Sequence, residues 1–98
     1  MPKLCRDYDL GATGHGCDSV IGVQATQFTV RANGIPIVRL LDPALPHTIP
    51  TPLCTPHPGA KVNIASMTVR ASGKSVARVG DSFDFGMMID GSNNVRAG

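Results

Sequence analysis

The sequence predicts one small, mainly β domain over residues 1–98, made of short hairpins and a long proline-rich loop. Three observations carry that prediction: an internal repeat with hairpin chemistry, a density of helix-breaking residues, and a core too poor to stand alone. Eleven Gly and eight Pro leave Ala60–Ser72 as the longest stretch free of both, too short for a long helix flanked by loops. Leu, Ile, Val and Phe number six, six, nine and three, with one Tyr and no Trp, so the aromatic payload of an ordinary core is missing. A chain of this kind needs a metal, a partner or strong sheet closure.

The repeat comes first because it organises the rest. Gln27–Asp42 reads QFTVRANGIPIVRLLD and Ser66–Asp81 reads SMTVRASGKSVARVGD; at an offset of 39 residues, seven of sixteen positions are identical. A truncated third copy, Gly91–Ala97, resembles Ala65–Ala71, which gives repeats over about 22–42, 61–81 and 89–98. Each full copy has the form of a hairpin. A short alternating strand (Phe28–Arg31) leads to a polar-Gly turn (Asn33-Gly34, Ser72-Gly73) that supplies positive φ, and a second strand ends at Arg-x-x-Asp. A helix over Val23–Ala32 is disfavoured by β-branched Thr29 and Val30 and by the Gly-Ile-Pro that follows. Asp42 and Asp81 read as turn caps and Arg39 and Arg78 as their surface partners, structural roles in both cases.

Between the hairpins, Asp42–Pro58 holds six of the eight prolines and reads as loop. An ordered loop of that length needs a fastening. It contains His47, Cys54 and His57, and the remaining histidine, His15, sits in the turn Ala-Thr-Gly-His-Gly-Cys. Imidazole and thiolate are the ligands Zn²⁺ prefers, and four of them close a tetrahedral structural site. The expected set is His15, His47, Cys54 and His57, with Cys17 in reserve; the bland alternative is scattered surface histidines and a buried thiol. Such a site is worth on the order of 10 kcal/mol, as much as a domain's whole stability, so losing a ligand should unfold one end.

Other functional classes find little support. Nine Lys+Arg against seven Asp+Glu give a charge of +2, and paired C-x-x-C knuckles are missing, which argues against a nucleic-acid module. No run approaches a membrane span, and Met1–Asp7 has no secretory apolar stretch, so the expected origin is the cytoplasm. There, three cysteines read as thiols or metal ligands rather than disulfides. A Cys54/His57 nucleophile and base lacks an orienting residue or oxyanion turn, and the expectation is a non-enzyme.

The elements Asn33–Arg39 and Ser72–Asp81 resemble the NGxPVARxGD element of the PAAR-repeat proteins, the tips of type VI secretion systems and contractile phage tails. His15-Gly16 is similar to that family's early His-Gly turn, and Cys54–Pro58 to its mid-chain Cys/His stretch, so the resemblance covers nearly the whole chain. It implies a small cone of β-hairpins with pseudo-threefold symmetry, one Zn²⁺ near the apex held by three histidines and a cysteine, and a base seated on a trimeric β-helical spike (VgrG or phage central-spike type). One copy per trimer would cap exposed strand edges, contact the target membrane transiently as it pierces, and carry effector proteins that ride separately. Such a tip is made in the cytoplasm and delivered outside the cell or built into a virion tail. An effector adaptor that caps no spike, or a small Cys/His hydrolase, are the alternatives.

The chain departs from the family pattern in three places. The first repeat ends Leu41-Asp42 where Gly-Asp is common, Phe85-Gly86 stands where many members have Cys-Gly, and Cys17 replaces a common glycine. The second departure leaves Cys54 as the expected thiolate. Met87-Met88-Ile89 reads as core, with a place in the spike-contacting base as the alternative.

Overall fold

The structure, a computed structural model, describes residues 1–50 and 53–98. Its regular elements are all short antiparallel strands: β1 (Leu10–Ala12), β2 (Val20–Gly22), β3 (Arg31–Ala32), β4 (Ile35–Pro36), β5 (Thr48–Pro50), β6 (Cys54–Pro56), β7 (Arg70–Ala71), β8 (Lys74–Ser75), β9 (Ser82–Phe83) and β10 (Gly86–Met88). One four-stranded sheet has the order β2-β1-β10-β9, and β3-β4, β5-β6 and β7-β8 are separate two-stranded ladders. The expected mainly β class and its short hairpins are therefore present.

Both repeat hairpins turn where the sequence places them. Asn33 and Gly34 have φ of 56° and 77°, Ser72 and Gly73 of 50° and 84°, the left-handed pair that a two-residue hairpin turn needs. The strands are shorter than the alternating pattern promises, because side chains take over the backbone before the ladder begins. Gln27 Oε1 accepts the N–H groups of Thr29 (3.0 Å) and Val30 (2.8 Å). Ser66 Oγ does the same for Thr68 (3.2 Å) and Val69 (2.9 Å), and Ser92 Oγ for Asn94 (3.3 Å) and Val95 (3.0 Å). These local side-chain turns compete with strand pairing and win.

A second recurrent device closes each hairpin. Asp42 Oδ2 accepts the Arg39 N–H and Asp81 Oδ2 the Arg78 N–H, both at 2.8 Å, while Asp9 Oδ2 accepts the Arg6 N–H at 2.7 Å. The third residue of each Arg-x-x-Asp turn, Leu41, Gly80 and Tyr8, has positive φ. Its N–H donates to Val62, Met88 and Val23 respectively. Arg6-Asp7-Tyr8-Asp9 thus repeats the motif at the opposite end of the chain from the fragment it completes. The Leu4 N–H donates to the Val95 carbonyl as Ile37 does to Val30 and Val76 to Val69, so residues 3–6 pair beside the third repeat fragment in the way the second strand of each full repeat pairs with its first.

The caps agree with the sequence reading, but the arginines do not behave as a matched surface pair. Arg78 forms an ion pair with Asp81 at 2.9 Å, and the hydrogen bond from that carboxylate holds its guanidinium pKa above the usual value. Arg39 is buried and instead donates to the carbonyls of Ala71 (3.3 Å) and Ser72 (3.2 Å), bridging one hairpin to the next. Asp42 Oδ1 is left to accept the Thr26 hydroxyl at 2.5 Å.

Two small cores follow from this arrangement. Leu4, Ala32, Ile37, Ala71, Val76 and Ala97 pack between the hairpins, and Cys5, Val23, Val38, Val62, Phe83 and Met88 with Ala25 and Ala77 form the second. Phe83 is the only aromatic side chain in either, and its burial stabilises by about 2–3 kcal/mol. Gly11 is required beneath it, since a Cβ there would run into the ring. Of Met87-Met88-Ile89 only Met88 is core; strand alternation turns Met87 outward, and Ile89 is exposed as well. The proline-rich segment Asp42–Pro58 is not all loop, for β5 and β6 pair within it as an isolated ladder where prolines cost few hydrogen bonds; Thr51 and Pro52 of that segment lie outside the described residues.

Ser72 is an L-residue with a side chain in a left-handed slot, where Asn33 serves the equivalent hairpin at lower cost. Ser72→Asn is expected to stabilise the fold by about 0.5 kcal/mol, read as a higher midpoint in denaturant unfolding.

Candidate metal centre

Three separate connections deliver polar side chains to one place. His15 lies on the β1–β2 loop, where the Thr13 hydroxyl donates to the Asp18 carbonyl (2.7 Å) and folds the segment back on itself. His47 immediately precedes β5 and His57 immediately follows β6; the His57 N–H donates to the His47 carbonyl at 2.9 Å, extending the ladder by one step. Asp84 is the first residue of the two-residue turn between β9 and β10, at φ 52°, with its N–H on the Lys61 carbonyl at 3.0 Å.

The donor atoms of His15, His47, His57 and Asp84 all lie within 4.8 Å of one another, a group that could hold a metal ion. Asp84 Oδ2 is 2.8 Å from His15 Nε2, 3.2 Å from His47 Nε2 and 3.5 Å from His57 Nδ1. The Asp84 side chain is 3% exposed and that of His47 1%. The rings of His15 and His47 stack at 5.4 Å with His57 edge-on to both, and exposed Phe85 packs against His15 and His57.

Protonation decides what the cluster attracts. His15 Nδ1 lies 3.0 Å from the Gly16 carbonyl and His47 Nδ1 3.1 Å from the Leu45 carbonyl. A carbonyl only accepts, so each Nδ1 carries the hydrogen, and in a neutral ring the Nε2 lone pair then faces the Asp84 carboxylate. Lone pairs and a buried carboxylate at these distances repel unless a proton or a metal ion lies between them. Metal-binding histidines are commonly oriented in this way, with the outer ring nitrogen donating to a carbonyl.

The three expected histidines are brought together, but Cys54 is not with them. It is disulfide-bonded to Cys17, so the thiolate expected at Cys54 and the reserve ligand at Cys17 are both consumed, and Asp84 stands as the fourth member of the group. The expectation that the cysteines remain unpaired fails for a local reason. The Asp18 carboxylate accepts both the N–H (2.7 Å) and the hydroxyl (2.8 Å) of Thr48, which lays the β1–β2 loop beside the β5–β6 ladder and brings the sulfurs together. A link across 37 residues removes unfolded-state freedom worth about 4 kcal/mol in the chain-entropy picture. The odd cysteine, Cys5, is buried in the core; desolvation first, and then the Asp9 charge, pushes its thiol well above the usual range, so it stays neutral and inert.

Sequence reasoning missed Asp84 because an aspartate before Phe-Gly reads as turn chemistry. Its signal was positional: the residue sits at the head of a turn in the segment where the family resemblance lapses. Compared with models of protein families and with curated proteins, the sequence has no match.

The Asp18–Thr48 tie is pH-dependent. The Thr48 hydroxyl and N–H hold the Asp18 carboxyl below its ordinary value, so the stabilisation is present above the unfolded carboxylate pKa of about 3.9 and is lost as pH falls through the lower folded value. Asp18→Asn is expected to melt below the wild type at pH 7, with the gap closing at pH 2–3, as thermal unfolding at both pH values will report.

Proposed function

We propose that the chain is a PAAR-type tip, a metal-clamped cap for the trimeric β-helical spike of a contractile injection machine, whether of type VI secretion or a phage tail. The observation that carries this reading is the threefold recurrence of one unit. Gln27, Ser66 and Ser92 open it, the turns ending at Asp42, Asp81 and Asp9 close it, and the connection after each of those aspartates supplies the donor cluster with, in turn, His47 and His57, Asp84, and His15. A single chain with that recurrence has the pseudo-threefold form needed to meet three equivalent spike subunits at once.

In this reading the donor cluster is the apex, and Zn²⁺ is the ion, since three imidazoles and one carboxylate make a closed four-donor set. Many relatives of the resembled family carry Cys-Gly at the turn occupied here by Phe85-Gly86, and Asp84 takes over the supply of the fourth donor one residue earlier. Phe28, Val30, Met67 and Val69 are exposed at the start of the two repeat hairpins, and this reading assigns them to the base. An apolar rim of that kind suits the blunt end of a spike. The cap is made in the cytoplasm and delivered outside, with effectors carried separately. With its sulfur in a disulfide, Cys54 offers no support to a hydrolase.

Two measurements test the reading. Protein loaded with Zn²⁺ and freed of excess should hold about one ion per chain by elemental analysis, and His47→Ala or Asp84→Ala should lose it; equal metal content in both variants contradicts the site. Size-exclusion chromatography with light scattering should show one copy bound to one trimer of the cognate β-helical spike. A complex with effector but none with the spike would instead favour an adaptor.

A further inference from the structure

Cys17 and Cys54 flank the donor cluster on both sides. Cys17 is two residues beyond His15, and Cys54 is three before His57. The disulfide therefore fastens the loop that presents one histidine to the ladder that presents the other two. Among the described residues that ladder pairs with no other strand, and the segment leading into it is anchored by the Leu45 N–H on the Gly22 carbonyl at 2.9 Å. The ladder's ties to the β1–β2 loop include the two hydrogen bonds from Thr48 to Asp18 and the packing of the His47 and His57 rings against His15. Asp84, by contrast, is held by the four-stranded sheet whatever the cysteines do. Both cysteines are exposed, so a reductant can reach them.

From this placement we propose that the Cys17–Cys54 disulfide is a redox control on the metal centre: the oxidised chain holds the ion tightly, and reduction loosens it by freeing the His47/His57 ladder from His15. The inference rests on the metal reading above and adds its regulation. Reduction by a dithiol transfers two electrons and two protons to the disulfide, breaking the S–S bond to give the Cys17 and Cys54 thiols while the dithiol closes to its own disulfide. The metal is neither oxidised nor reduced. What changes is the freedom of the ligands before binding, which the disulfide restricts in advance. Linkage makes the effect reciprocal, so a bound ion protects the disulfide from reduction by the same factor.

A coupling of ordinary size corresponds to a 10- to 100-fold loss of affinity. The experiment titrates Co²⁺ and Zn²⁺ against a chromophoric chelator in three preparations of the full chain: oxidised, reduced with a phosphine that does not compete for metal, and the Cys17→Ser/Cys54→Ser double variant. Circular dichroism first verifies that each is folded. If the double variant fails that check, the reduced wild type and the reciprocal measurement, resistance of the disulfide to the same phosphine with and without Zn²⁺, decide the matter. One ion per oxidised chain, with affinity at least tenfold weaker in the other folded preparations and slower, less complete reduction in Zn²⁺, is the expected result. Equal or tighter binding after reduction, above all with a thiolate-to-cobalt charge-transfer band, overturns the redox control while leaving the metal site standing. Absence of binding in every preparation overturns both.

Discussion

A carboxylate buried among imidazoles is the constraint on which the convergence of three connections depends. Asp84 Oδ2 lies within 3.5 Å of a ring nitrogen on each of three histidines, and the outer nitrogens of His15 and His47 are committed to carbonyls. In a low-dielectric site such an arrangement is favourable with positive charge among these atoms, carried by a proton on an imidazole or by a metal ion. Three connections, two of them already joined by the Phe85 N–H on the Thr13 carbonyl, are thereby tied together through their side chains. That is an economical solution for a chain whose two cores contain a single aromatic ring.

The body of the molecule makes the convergence possible by repetition. Each Arg-x-x-Asp turn traps its own backbone with a carboxylate and sends the N–H of its third residue to a carbonyl of a segment that follows, so position is transmitted by hydrogen bonds as well as by packing. Arg39 adds a buried cross-link by reaching the carbonyls of the Ser72 turn. Dense backbone pairing of this sort satisfies polar groups that a small core must otherwise leave to water.

What was legible in the sequence was whatever is encoded locally. Asn33-Gly34 and Ser72-Gly73 announce their turns by conformational preference alone, and the matched Arg and Asp positions are visible at a fixed offset. His15, His47 and His57 stand out because every histidine of the chain falls in a Gly- or Pro-rich loop outside the repeat strands. The remainder depends on contacts distant in sequence. Arg6–Asp9 is the third turn of the series, yet it precedes the others and joins a fragment some 80 residues later, so no offset exposes it. Likewise the choice between Cys54 and Asp84 as companion to the histidines turns on whether Asp18 and Thr48 bring Cys17 alongside, which no spacing rule contains. The proline-rich segment reads as loop because its composition excludes a central strand, yet an isolated ladder such as β5–β6 remains open to it.

The disulfide and the donor cluster constrain the same two loops by different chemistry, one covalent and exposed, the other ionic and shielded. Which side chains actually ligate is the central question, and X-ray absorption at the metal edge of the Zn²⁺-loaded, oxidised protein answers it most directly. The account predicts a shell of nitrogen and oxygen alone at about 2.0–2.2 Å with imidazole outer-shell scattering. A sulfur scatterer at about 2.3 Å, the distance of a zinc–thiolate bond, would contradict it and return the fourth ligand to Cys54.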